Sequence, residues 1–299
     1  RAFYVRRILR IWPLYYVVIL FTFAVYPFLK ATFGFSPRIE AGNPLYYVFF
    51  LSNFDVIKLR QAHGAMSTNI TWSVAKEEQF YLAWPLLFFF VPRQAYKFLF
   101  PLIILISAAF RYYYLDNEMV VYFHSLSVIS DMAVGGLAAY LALKSERFRE
   151  TIARIPMALL IVLYITGLIL VIFRQDIFVG SVLGALQRFF ISLFFVFVVL
   201  EQNYCRHSIF KMSKLKRMSR LGVYTYGLYL LHPIAITLLL NVVTLLALRS
   251  TIWLAIGLGL ASLLLSILMA AVSYHLFEKR FLDLKRRFTH VPSAQTLTK

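Results

Sequence analysis

The chain has a single cysteine, Cys205, which excludes an internal disulfide and a cysteine-built metal site. Charge is scarce, at 15% of 299 residues, and negative charge scarcer still: 13 Asp and Glu stand against 31 Lys and Arg. A soluble chain of this length needs a wetter surface. No internal repeat, low-complexity stretch or linker divides the sequence, so one domain over 1–299 is expected to account for nearly all of it. What is present is apolar: 61% hydrophobic residues, 29 Phe and 19 Tyr, and a mean hydropathy of +0.74. This composition reads as an all-α, polytopic transmembrane helical bundle with aromatic belts. The net charge of +18 would point to nucleic acid in a soluble protein. Here the cations lie between apolar segments, where they direct topology and attract anionic lipid. Membrane lipids are therefore expected partners and nucleic acid is not.

A helix needs about 20 apolar residues to cross the hydrocarbon core. Eight such spans are expected, at 11–29, 71–91, 98–115, 125–143, 156–173, 181–200, 221–246 and 251–274. The apolar stretch 44–54 is too short to cross and is expected to be interfacial or re-entrant. It lies in a turn-rich loop, 30–70, that holds Gly34, Pro37, Gly42, Pro44 and Gly64. Lys and Arg on the two sides of this arrangement number 22 and 7, while acidic residues divide evenly. The positive-inside rule then places both ends, including the tail 275–299, in the cytoplasm. The chain begins at Arg1, inside a basic cluster and without Met, and is expected to be cut at its N-terminus.

Ionisable groups within a span cost about 2.5–3.5 kcal/mol each on insertion scales and point to function. Lys76, Glu77, Glu78, Asp131, Arg188 and His232 are the ones at issue. Counted from the span ends, Glu77, Asp131 and Arg188 share a layer roughly 10 Å deep, which implies a hydrated cavity. Ser73, Glu77 and Tyr81 recur at i, i+4, i+8, with Trp84 seven residues after Glu77. That face predicts Glu77 as the bundle-facing carboxylate, with Ser73 and Tyr81 as hydrogen-bond partners and Glu78 about 100° away. Pro233 removes a donor to the carbonyl of Tyr229, so a kink is expected beside His232. Arg6, Arg7 and Arg10 sit at the cytoplasmic mouth of the first span. They serve topology or grip phosphate, and composition does not choose between the two.

These clusters, in this order, resemble the membrane-bound acyltransferase 3 family. Its pattern F-x-x-R-R-x-x-R-I-x-P matches Phe3, Arg6, Arg7, Arg10, Ile11 and Pro13. Its W-S-L-x-x-E-E-Q-F-Y-L-x-W-P matches Trp72 to Pro85 with Val74 in place of Leu, and its S-Y-G-L-Y-L-x-H matches Tyr226 to His232 with Thr225 in place of Ser. The segments 131–141 and 273–287 fit its Asp-Gly-rich helix and its F-E-x-x-F end. The resemblance implies ten spans in a full-length member, the first two of them, with the family's principal catalytic histidine, lying upstream of Arg1. It implies transfer of an acyl group, typically acetyl, from cytoplasmic acyl-CoA to a hydroxyl of a cell-envelope sugar, glycolipid or polysaccharide. It implies a location in the inner (plasma) membrane.

On this reading Glu77 and His232 are the catalytic residues, and Arg6, Arg7 and Arg10 bind acyl-CoA. Trp72, Ser73, Tyr81, Asp131 and Tyr229 support them. No metal and no permanently bound cofactor is expected, with acetyl-CoA acting as donor substrate. A secondary transporter using Glu77, Asp131 and His232 as a proton relay is the alternative, although no inverted repeat supports it. A non-catalytic scaffold or lipid-binding protein is a third reading.

Overall fold

The computed structural model describes residues 2–33, 42–59, 70–249 and 251–288. Every regular element among them is helical. Gly34, Pro37 and Gly64 of the long loop, Arg1, and tail residues 289–299 lie outside the described residues. The chain forms two compact units, one made of Arg1–Leu82 with Arg220–Lys299, the other of Ala83–Ser219.

The first unit opens with α1 (Ala2–Leu20), which carries Pro13 inside it. A π turn at Phe21–Val25 leads into α2 (Tyr26–Phe33). Two short helices follow, α3 (Pro44–Val48) and α4 (Ser52–Leu59). They replace any single crossing at 44–54, as that stretch's length requires. Asn43 starts α3 because its side chain accepts from Leu45 N at 3.0 Å and Pro44 needs no donor at the first turn. Next comes α5 (Thr71–Phe90), whose residues 71–82 belong to this unit.

After the second unit the chain returns with α14 (Thr225–Leu245), α15 (Ile252–Ser273) and α16 (Lys279–Arg286). Thr251 caps α15 by accepting from Leu254 N at 3.1 Å. The core of the unit joins α1, α5 and α14 through Ile11, Leu14, Tyr15, Val74, Ala75 and Leu230. Tyr15 is fully buried, and its hydroxyl donates to Tyr47 O at 2.7 Å. Phe50, at φ 55°, stacks on Tyr15 at 4.4 Å and accepts from Gln79 Nε2 at 2.7 Å. That packing holds a bulky residue in the left-handed region, which it avoids in open loops.

The second unit contains α6 (Tyr96–Tyr113), α7 (Glu118–Phe123), α8 (Ser125–Lys144), α9 (Glu146–Ala153), α10 (Met157–Ile172), α11 (Arg174–Ile177), α12 (Ser181–Tyr204) and the start of α13 (Lys216–Leu221). Helices α6, α8 and α12 pack together. Phe100, Ile103 and Ala133 form the apolar centre between α6 and α8. The chain turns 91° between α9 and α10. Pro156 causes the turn, because a residue before proline is pushed out of the helical region.

Among the described residues, six helical stretches are long and apolar enough to cross a membrane, or seven if the bent pair α9 and α10 forms one span. The expected eight differ for two reasons. Helix α10 alone has only 16 residues, and α5, though 20 residues long, carries Lys76, Glu77 and Glu78. Phe89, Phe90, Leu143 and Trp253 stand more than three-quarters exposed. Such side chains suit a lipid-facing surface and not a wet one.

Candidate active site

The charged turn of α5 is oriented by its small apolar residues. Thr71, Val74, Ala75 and Glu78 form the buried stripe of the helix, and Val74 and Ala75 join the core that contains Ile11 and Tyr15. Glu78 is therefore carried inward, 3% exposed, and Glu77 stands exposed one position away. The expected order of the two carboxylates is thus reversed. The polar stripe Ser73–Glu77–Tyr81 had suggested the inner face, but packing against α1 is set by where close apolar contact is possible. Trp12 supplies the donor that makes burial of Glu78 tolerable, with Nε1 at 2.9 Å from Oε2. Oε1 of Glu78 has no hydrogen-bond partner among the described residues.

Ser73 and Tyr81 do not serve Glu77 as hydrogen-bond partners. Ser73 Oγ donates to Ile70 O at 3.0 Å and pairs with the hydroxyl of Tyr229. The Tyr81 ring lies beneath the guanidinium of Arg7, 3.9 Å from its Cζ. Lys76 is buried and sits over the ring of Trp72 at 4.0 Å. Glu77 instead lies within electrostatic reach of Arg7 and Arg10.

Helix α14 brings Tyr229 and His232 one turn apart on one face, with ring centroids 6.1 Å apart. His232 Nδ1 lies 3.2 Å from Leu228 O, a geometry that puts the proton on Nδ1 and leaves Nε2 free to accept. Helix α14 runs from Thr225 to Leu245 with Pro233 inside it. Ser73, Tyr229 and His232 thus form one polar group joining α5 and α14. Tyr229 and His232 also border a cavity of about 740 Å³ between α14 and α15, whose other walls are mostly Leu and Ile.

The N-terminal cations converge with the other end of the chain. Arg6 Nη1 donates to Phe288 O at 2.9 Å, and Lys285 lies within electrostatic reach of Arg6, Arg7 and Arg10. A smaller cavity, about 260 Å³, lies between α1 and α5 and is lined by Tyr4, Arg7, Ile8, Trp12, Glu78, Tyr81 and Leu82.

Asp131 belongs to the second unit. It forms an ion pair with Arg188, whose Nε is 3.1 Å from Oδ2, and accepts from Ser192 Oγ at 2.9 Å. Arg111 lies within electrostatic reach of both and is 4% exposed. Its guanidinium donates to Ala185 O at 2.9 Å and Gly184 O at 3.1 Å. Arg111 is not among the ionisable groups that the sequence singles out, although it falls within the span expected at 98–115. The helix carries it inward one turn past Ser107, whose own hydroxyl donates to Ser127 O.

Two more carboxylates escaped the sequence reading as buried groups. Glu201, 1% exposed, accepts from Tyr164 at 3.0 Å and Gln202 at 2.7 Å, because α12 runs on to Tyr204. Glu278 accepts from Ser273 at 2.8 Å within a π turn at Tyr274–Glu278. Gly227 leaves room for Glu278: a Cβ there would lie 2.8 Å from Glu278 Oε1.

No group of three or more His, Cys, Asp or Glu side chains is placed to hold a metal ion among the described residues. Nothing among curated proteins or solved structures matches the chain. The family model of an acyltransferase domain, acyltransferase 3, does match, over residues 1–271, and this span takes in the arginines of α1, the carboxylates of α5 and the Tyr229–His232 pair of α14. The chain belongs to the acyltransferase 3 family.

Proposed function

We propose that this protein is a membrane O-acyltransferase that moves an acyl group, acetyl in the simplest case, from cytoplasmic acyl-CoA to a hydroxyl of a cell-envelope sugar, glycolipid or polysaccharide. In this reading it is a multi-pass protein of the inner membrane with both ends of the chain in the cytoplasm. The observation that carries the reading is the convergence of Arg6, Arg7, Arg10 and Lys285 from opposite ends of the sequence. Like charges gathered in this way, with Glu77 beside Arg7 and Arg10, repel one another, and a polyanion such as the phosphates of CoA relieves that repulsion.

Acyl transfer needs a sugar oxygen to attack the thioester carbon while a base takes its proton, and the departing sulfur then takes up a proton. Glu77, beside Arg7 and Arg10, assists at the donor side. His232, with Nε2 as acceptor, and the Ser73–Tyr229 hydroxyl pair hold and pass the proton of the acceptor hydroxyl. The cavity between α14 and α15 receives apolar parts of a substrate.

The test is transfer of labelled acetyl from acetyl-CoA to envelope polysaccharide, using the whole protein in inverted membrane vesicles. Label in the polysaccharide that is released by mild base, as an ester is, supports the reading. Proton-coupled solute flux without ester formation would establish the transporter instead.

A further inference from the structure

The small cavity between α1 and α5 is bordered by two complementary groups. Glu78 borders it with a carboxylate that is 97% buried by exposure of the whole residue, one oxygen bound to Trp12 and the other without a hydrogen-bond partner among the described residues. A buried acceptor left unmade is costly and calls for a donor. Arg7 borders the same cavity, its Cζ 3.9 Å from the centroid of the Tyr81 ring and 5.7 Å from that of Phe3. A cation–π contact does not use up the N–H donors of a guanidinium, which can still grip an anion. A ligand that satisfies both must present an anionic oxygen and an N–H or O–H donor, joined by a slender body. At about 260 Å³ the space falls below the roughly 300–1,000 Å³ that encloses a drug-sized ligand. It suits a narrow chain and excludes a nucleotide.

We propose that this cavity binds the phosphopantetheine arm of the thioester donor, with the phosphate on Arg7 and an amide N–H on the Glu78 carboxylate. The inference rests on the donor reading above and deepens it: the nucleotide meets the outer cations, while the arm passes between α1 and α5. Trp12 and Tyr81 wall the passage, and the indole N–H of Trp12 holds the carboxylate in place.

The test measures binding of three probes to the whole protein in detergent: CoA, 4′-phosphopantetheine, and adenosine 3′,5′-bisphosphate, which lacks the arm. Glu78→Gln removes the charge at constant shape. It is expected to weaken CoA and 4′-phosphopantetheine about tenfold, the size of one lost charge-assisted hydrogen bond. Binding of the bisphosphate should stay unchanged. Ile8→Trp narrows the cavity from its rim without touching the Trp12–Glu78 bond. It is expected to weaken the same two probes and spare the third, so the inference stays testable if Glu78→Gln fails to fold. Equal affinity of wild type and both variants for CoA would overturn the inference and leave the donor reading standing, as would equal weakening of all three probes. No binding of CoA to the wild type would overturn the donor reading itself.

Discussion

Trp12 and Glu78, 66 residues apart, are joined by a hydrogen bond of 2.9 Å from the indole Nε1 to the carboxylate Oε2. It places a charged turn of α5 against α1 where apolar side chains would otherwise meet. The bond leaves the second carboxylate oxygen without a hydrogen-bond partner among the described residues.

Trp12→Phe keeps an aromatic ring and removes the donor. The buried carboxylate then loses its hydrogen bond, which costs about 1–3 kcal/mol. Thermal unfolding in detergent should show a lower midpoint for this variant. Trp12→Phe combined with Glu78→Leu should recover part of the loss, since no buried charge remains. A double variant less stable than the sum of its parts would contradict the role of this bond.

Glu77 and Glu78 should separate in function. Glu77→Gln is expected to abolish or greatly reduce acyl transfer with folded yield intact, because an amide cannot take a proton or answer the charge of Arg7 and Arg10. Full activity in this variant would remove Glu77 from the chemistry. Glu77→Ala, assayed for folded yield, serves as the control for a purely structural carboxylate.

Arg7→Ala removes a phosphate fork and should raise the apparent KM for acyl-CoA about tenfold or more. Arg7→Lys should restore only part of it, since neither the fork nor the guanidinium's contact with the Tyr81 ring survives. An unchanged KM together with poor insertion would assign the arginines to topology alone.

Gly227→Ala would bring a methyl group to 2.8 Å from Glu278 Oε1 and 3.5 Å from Ala270. Overpacking of this kind costs about 1–3 kcal/mol. The unfolding midpoint should fall, and Glu278→Ala in the same chain should reduce the fall, because the clash is with that side chain. Additive losses in the double variant would show that the two positions are independent.

Asp131→Ala should lower folded yield, because Arg188 and Arg111 then lie close together without the carboxylate between them. Arg188→Leu in the same chain removes one of the two cations and should restore yield. Equal yields for the single and double variants would contradict this pairing.

The sequence by itself determined the class of the fold and most of its helices. Long apolar stretches separated by basic loops have few ways to satisfy a backbone in lipid, so their positions survive the transition to three dimensions with small shifts. It also carried the family, since the arginines of α1, the carboxylates of α5 and the Tyr229–His232 pair are recognisable by order and spacing alone. Only the tertiary structure decided which of two adjacent carboxylates is buried. Helical periodicity defines stripes without ranking them, and the choice fell to Val74 and Ala75, whose small size allows close packing against α1. Tertiary structure also decided that Arg111, Glu201 and Glu278 lie inside, and that Lys285 meets Arg6, Arg7 and Arg10. Those placements depend largely on partners distant in sequence, such as Ala185 for Arg111, Tyr164 for Glu201 and Arg6 for Lys285, which packing brings near and no local pattern records.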